Sequence, residues 1–132
     1  MFRILAPALG IQLALGGLVT YNFIDPSVHI VWGIVLGVIA LVTLIFVMRM
    51  PSKPKRLVGL AVGIGVDILL QGLLGFTVLG TSSNVNLSNG IAWVHFLNAF
   101  VIFAMTLMAA TMAMMAGRMA QHMGPSPQVP QP

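Results

Sequence analysis

Four long apolar stretches, at about residues 4–23, 28–48, 57–79 and 91–116, decide what this chain can fold into. Each is close to the ~20 residues that an α-helix needs to cross the hydrocarbon core of a bilayer. None shows the alternation of barrel strands, and lipid requires a backbone whose polar groups are satisfied internally. Only 6% of the residues are charged, against roughly a quarter in soluble domains. The sequence therefore predicts an all-α membrane protein with four transmembrane helices.

The basic residues predict how these helices are oriented. Four of the six lie between the second and third stretches, one precedes the first stretch and one follows the last: Arg49, Lys53, Lys55, Arg56, Arg3 and Arg118. Lys and Arg stay on the cytoplasmic side of a membrane. We therefore expect an up-down bundle over residues 1–117 in the cell membrane, with both termini cytoplasmic. A Pro/Gln-rich tail over 118–132 is expected to be disordered. The net charge of +4 reports topology and does not indicate nucleic-acid binding.

The two halves of the chain repeat one pattern. Gln12 and Gln71 each begin the motif Gln-x-x-Leu-Gly, and each is followed by a polar loop and by an apolar stretch that opens near a histidine, His29 or His95. The Gln-to-His spacing is 17 residues in the first half and 24 in the second, and we place the difference in the second outer loop. The repeat predicts two similar helical hairpins packed in parallel.

In such a bundle His29 and His95 lie at one depth, near the outer face, on helices that run in the same direction. Two imidazoles facing each other are the ligands of a six-coordinate electron-transfer haem. Small or polar residues share the helix face of each histidine, four and eight positions after His29 and three and four positions after His95: Gly33, Gly37, Asn98 and Ala99. The alternative for each histidine is a polar side chain that reaches toward the headgroups.

These motifs resemble the haem A synthase family of membrane haem proteins. Gln-x-x-Leu-Gly-Gly from Gln12, followed by a histidine near the start of the next helix, is similar to the pattern of that family, whose members commonly contain two four-helix halves. The chain matches one half, over about residues 8–116. The resemblance implies that His29 and His95 are the axial pair of one haem b.

The chain also departs from that family. Its catalytic half has a Glu three residues before the first histidine, where this chain has Pro26, and often an Arg after that histidine, where this chain has Ile30. Asp25 lies one residue too far back, the chain has no Glu, and the family's cysteine pair is missing because there are no cysteines. The resemblance is therefore to the cofactor-binding half, and catalysis of haem oxidation is not implied.

Three interior polar residues have two interpretations each. Gln12 and Gln71 either join helices one and three or bond the histidines and the haem edge as outer-shell groups. Asp67 lies on a stripe with Gly63 and Gln71, which must face the interior because an acid facing lipid is penalised. It either bonds Gln71 or the backbone structurally, or carries protons or contacts quinol.

The leading hypothesis is a membrane b-type cytochrome with one haem, exchanging electrons with quinol or with other membrane redox subunits, within a larger complex or a homo-oligomer. The alternative is a haem-free structural or assembly subunit of a membrane complex, docked through its glycine stripes and its methionine-rich fourth helix. A half-transporter with Asp67 as its proton site is a third possibility.

Overall fold

A computed structural model describes residues 1–51, 54–81 and 83–122, without the side chains of 120–122. The described chain forms four α-helices and no strand: α1 over Phe2–Thr20, α2 over Pro26–Met48, α3 over Lys55–Gly80 and α4 over Val85–His122. All four are long and apolar enough to cross a membrane. The predicted fold class, an all-α bundle of four membrane-length helices, is confirmed.

The turn at 21–25 ends α1 and begins α2. Asn22 has a φ of 58°, in the left-handed region. The backbone amide of Phe23 donates to the carbonyl of Leu18, and that of Asn22 donates to Val19, which is the Schellman pattern. Asp25 then caps α2, because its carboxylate accepts from the backbone amide of Ser27 at 2.8 Å. Hydrogen bonds from Ser27 lower the pKa of Asp25 below its ordinary value.

Helix α4 is longer at both ends than the sequence indicated. It begins at Val85, where the side chain of Asn84 accepts from the backbone amide of Leu87 at 3.2 Å. The stretch 85–90, expected to be loop, is helical because Asn84 provides a cap three residues before Leu87. The seven extra residues of the second half thus lengthen α4 by about two turns and do not lengthen the loop. Residues 118–122 are helical as well, and 123–132, the rest of the expected tail, lie outside the described residues.

The helices pack in a ring, each against two neighbours. Helix α1 packs against α2 and α4, and α3 packs against α2 and α4. Helices α2 and α4 therefore lie across the bundle from each other and run in the same direction. We call the end with the 21–25 and 81–84 turns the histidine end, and the end with the 49–54 connection the basic end.

The tightly packed core lies in the basic half of the bundle. Among the described residues, the fully buried ones fall within 2–9 of α1, 36–47 of α2, 57–64 of α3 and 102–110 of α4. Its largest members are Leu5, Ile64 and Ile102, each at most 1% exposed. Thr43 and Thr106 are also buried, and each hydroxyl donates to the carbonyl four residues earlier, which satisfies it without a partner helix.

Replacing Ile102 by Ala should destabilise the bundle by about 2 kcal/mol, the low end of the range for buried aliphatic residues, because lipid rather than water is the alternative environment. The matched control is Val101→Ala, since Val101 is 50% exposed on the outside of the same turn. Unfolding in mixed micelles measures both. Equal losses for the two variants would contradict the assigned core.

Candidate functional site

The two predicted histidines meet across the axis of the bundle. The ring centres of His29 and His95 are 6.2 Å apart and their planes are inclined by 68°. They are contributed by α2 and α4, the two helices that do not pack against each other directly. The two histidine side chains thus lie at one depth in the interior of the bundle, as the sequence predicted.

Each histidine ring lies against a glycine of the preceding helix. A Cβ atom at Gly16 would lie 3.2 Å from Cε1 of His29, and one at Gly75 would lie 3.2 Å from Cε1 of His95. These are the glycines that close the two Gln-x-x-Leu-Gly motifs. Their i+4 spacing from Gln12 and Gln71 puts them on the same helix face as the glutamines. The repeat therefore builds the same ring-on-glycine contact twice.

Each glutamine binds the backbone of the histidine in its own hairpin. The side-chain amide of Gln12 donates to the carbonyl of His29 at 3.2 Å, and that of Gln71 donates to the carbonyl of His95 at 2.8 Å. The links run from α1 to α2 and from α3 to α4. The interpretation of these glutamines as a bridge between α1 and α3 is therefore wrong, because those two helices lie on opposite sides of the bundle.

In the second half the side chains of Gln71 and Asn98 and the Nδ1 of His95 all have hydrogen-bond partners. The Nδ1–H of His95 donates to the backbone carbonyl of Gln71 at 3.1 Å. The side chain of Asn98 donates to Oε1 of Gln71 at 3.0 Å. The carbonyl fixes the proton of His95 on Nδ1 and leaves the lone pair of Nε2 available.

In the first half two polar atoms lack a partner. The amide of Gln12 also donates to Nε2 of His29 at 3.2 Å, so the ring proton lies on Nδ1. That Nδ1 and Oε1 of Gln12 are buried and make no hydrogen bond within the described residues. Trp32 occupies the position of Asn98, three residues after the histidine, but its indole N–H donates to the carbonyl of Ala8 at 3.0 Å. The two halves share their geometry and differ in polar satisfaction.

The interior around the histidines is less tightly filled than the basic half. No described residue within 10–35 or 65–101 is fully buried, although these segments contain the face that points to the axis. Gln12, His29, Gln71, His95 and Asn98 are all half-buried. The helices therefore enclose a core in one half of the bundle and leave the other half incompletely packed.

The other predicted site residues lie farther from the rings. Gly33 packs against the Gln12 amide, whose Nε2 is 3.2 Å from where a Cβ would be. Gly37 lines an apolar cavity of about 300 Å³ between α2 and α3. Ala99 is half-buried one turn beyond His95. Of the aromatic side chains at this end, Trp32 bonds α1, whereas Tyr21 and Trp93 are 75% and 65% exposed.

Asp67 is half-buried on the predicted interior stripe of α3. Its neighbours on that stripe face α4: a Cβ at Gly63 would lie 2.8 Å from Cε of Met105, and Gln71 bonds His95 and Asn98. Asp67 itself makes no hydrogen bond to any residue that the structure describes. The expected bond from Asp67 to Gln71 does not form, and the Gln71 side chain bonds His95 and Asn98 instead.

No family model, no curated protein and no solved structure matches this chain. Its function must therefore be argued from the geometry of the site.

Replacing Gln71 by Leu should destabilise the bundle by about 1 kcal/mol, because two interhelical hydrogen bonds in a membrane average ~0.6 kcal/mol each. The matched change Gln12→Leu should cost less, since Gln12 makes longer bonds and its removal also eliminates a buried oxygen without a partner. Unfolding of both variants in mixed micelles tests the difference. An equal or larger loss for Gln12→Leu would show that the polar asymmetry has no energetic consequence.

Proposed function

We propose that this protein is a small membrane b-type cytochrome in which His29 and His95 hold one haem b and which transfers electrons. The observation that carries the proposal is the pairing of two imidazoles across the bundle axis, 6.2 Å apart, each set against a glycine. The haem, when bound, supplies a metal centre that accepts and releases one electron.

The ring separation suits two ligands of one metal ion. A metal–imidazole bond is about 2 Å long and a ring centre lies about 1 Å behind its nitrogen, so two imidazoles on opposite sides of an ion have centres about 6 Å apart. The inclination of 68° is compatible with this, because rotation about the metal–nitrogen bond leaves the separation unchanged. The centres need not move, but His29 must turn its Nε2 away from Gln12.

The hydrogen bond that the Nδ1–H of His95 donates is of the kind found in histidines that bind a metal. A metal-binding histidine typically donates its other ring N–H to a carbonyl or carboxylate, which fixes the tautomer and increases the basicity of the ligating nitrogen. The bond from Nδ1 of His95 to the carbonyl of Gln71 has this form. The backbone carbonyl of Gln71 would act in this way as an outer-shell group. Asn98 holds the side chain of the same residue in place.

The incomplete packing of the histidine half is the second support. Cores of folded proteins leave few voids, yet the part of the bundle around the two rings has no fully buried residue in the described chain. A flat apolar macrocycle with polar edges would fill such a region. The proposal also agrees with the resemblance to the haem A synthase family, whose Gln-x-x-Leu-Gly motif contributes the residues that touch each histidine here.

Expressed with sufficient haem and purified in mild detergent, the protein should show the Soret and α bands of low-spin haem b. His95→Ala should remove the haem, because it deletes the ligand that the structure anchors best. Phe96→Ala, on the outer surface of the same helix with 46% of its side chain exposed, is the control and should retain the spectrum. A folded but colourless wild-type protein would refute the proposed function.

We also propose that the histidine end faces outward in the cell membrane, with both termini cytoplasmic. The basis is the positive-inside rule: Arg49, Lys55 and Arg56 lie at the basic end, whereas the 21–25 turn contains no Lys or Arg. Electron donors and acceptors, such as quinol or partner redox subunits, would then approach the haem near the outer face.

The chain has no cysteine, so single cysteines report orientation directly. In intact cells an impermeant maleimide should label Ser83→Cys, in the 81–84 turn, and should not label Lys55→Cys until the membrane is opened. Both positions are exposed in the structure. External labelling of Lys55→Cys would reverse the proposed orientation and leave the haem proposal unchanged.

A second candidate function, a docking subunit of a larger complex, is favoured by the length of α4. Its 38 residues extend about 57 Å, well beyond the ~30 Å that a bilayer core requires. Exposed methionines lie near its C-terminal end: Met108, Met115 and Met119. Methionine adapts to varied apolar partners, so this helix could bind another membrane subunit whether or not the bundle holds haem.

A further inference from the structure

We propose that the two axial ligands are unequal: His95 is permanent, and His29 exchanges with a small external ligand that the Gln12 amide then stabilises by a hydrogen bond. The inference rests on the proposed haem and adds a ligand-binding site on its His29 side. Three differences between the first and the second half support it.

The first feature is the anchoring of the rings. His95 is fixed through Nδ1 by the carbonyl of Gln71 at 3.1 Å. His29 has no such anchor: its Nδ1 is buried without a partner in the described chain, and its Nε2, the nitrogen that would bind iron, accepts from Gln12 instead. To bind iron through Nε2, His29 would give up its bond to Gln12, and no hydrogen bond at Nδ1 anchors its ring in the described chain. His29 would therefore be held more weakly than His95.

The second feature is the place of each histidine in its helix. His29 lies in the first turn of α2, which begins at Pro26, and its first turn is capped only through Asp25. His95 lies ten residues after the start of α4, with helical turns on both sides. Helix ends open at much lower free energy than helix interiors. Movement of the first turn of α2 would withdraw His29 while leaving His95 bound.

The third feature is what remains when His29 withdraws. The amide nitrogen of Gln12, now 3.2 Å from Nε2 of His29, would lose this acceptor and could donate to a ligand in its place. Gly16 and Gly33 border the same position without side chains. In the second half Ala99 takes the place of Gly33, and the Gln71 amide nitrogen donates to the backbone carbonyl of His95, not to its ring. Among the described residues, therefore, only the first half directs a glutamine N–H at the ring nitrogen that would bind iron.

Carbon monoxide titration of the reduced, haem-loaded protein tests the inference. We expect carbon monoxide to shift the Soret band of the wild-type protein. His29→Ala should keep its haem and bind carbon monoxide about tenfold or more tightly, because apparent affinity falls with the fraction of molecules in which the site is open. Asp25→Ala, which removes only the cap of α2, should also increase the affinity and guards against a His29 variant that fails to fold.

The infrared C–O stretch of the complex tests the role of Gln12. Loss of a hydrogen bond to the bound ligand should move the band to higher wavenumber in Gln12→Leu, and Phe96→Ala, on the outer surface of α4, should leave it in place. A low-spin wild-type spectrum that saturating carbon monoxide does not change overturns the inference while the haem proposal stands. Retention of haem in His95→Ala with loss in His29→Ala overturns it too, and a colourless wild-type protein removes both proposals.

Discussion

The interior of this bundle depends on one constraint: a polar side chain surrounded by lipid-facing helices must find its partner within the protein. Gln12 and Gln71 meet this requirement by donating to the backbone carbonyls of His29 and His95. Each bond fixes which faces of the two helices in a hairpin pack together. It also brings the glycine one turn after the glutamine into contact with the imidazole. Once both hairpins are fixed in this way, packing them in parallel brings the two rings together on the axis. The histidine pair is thus a consequence of the glutamine bonds.

The division of the bundle into two halves follows from the side chains available. At the basic end, small and branched apolar residues such as Ala61, Ile64 and Ile102 interlock and become fully buried. At the histidine end, rings, amides and glycines meet across the axis and do not fill the space between the helices to the same extent. Dense packing in one half keeps the helices in register, whereas no described residue in the other half is fully buried.

Much of this could be predicted from the sequence, for identifiable reasons. Apolar length predicted the number and class of the helices, and the repeated Gln and His placed the two rings at one depth. The start of α4 was wrong by six residues, because Ser and Asn between 83 and 90 are typical of a loop, whereas Asn84 in fact caps a helix. Of the two interpretations of Gln12 and Gln71, the bridge between α1 and α3 was wrong and bonds to the histidines are found, because periodicity shows which face a residue lies on but not which neighbouring helix that face meets.

Repetition explains the symmetry of the site, and single substitutions within the repeat explain its asymmetry. Asn98 and Trp32 occupy equivalent positions after their histidines. Asn98 completes the bonding of Gln71, whereas Trp32 reaches past the site to the carbonyl of Ala8 and leaves an oxygen of Gln12 without a partner. Such an atom is costly in a membrane interior, so its presence is informative. Trp32 gives the first hairpin a bond with no counterpart among the described residues of the second, and Asn98 gives the second hairpin a bond with no counterpart in the first. One substitution within the repeat is therefore enough to make the two glutamines differ in hydrogen bonding, while the contact between imidazole and glycine stays the same in both halves.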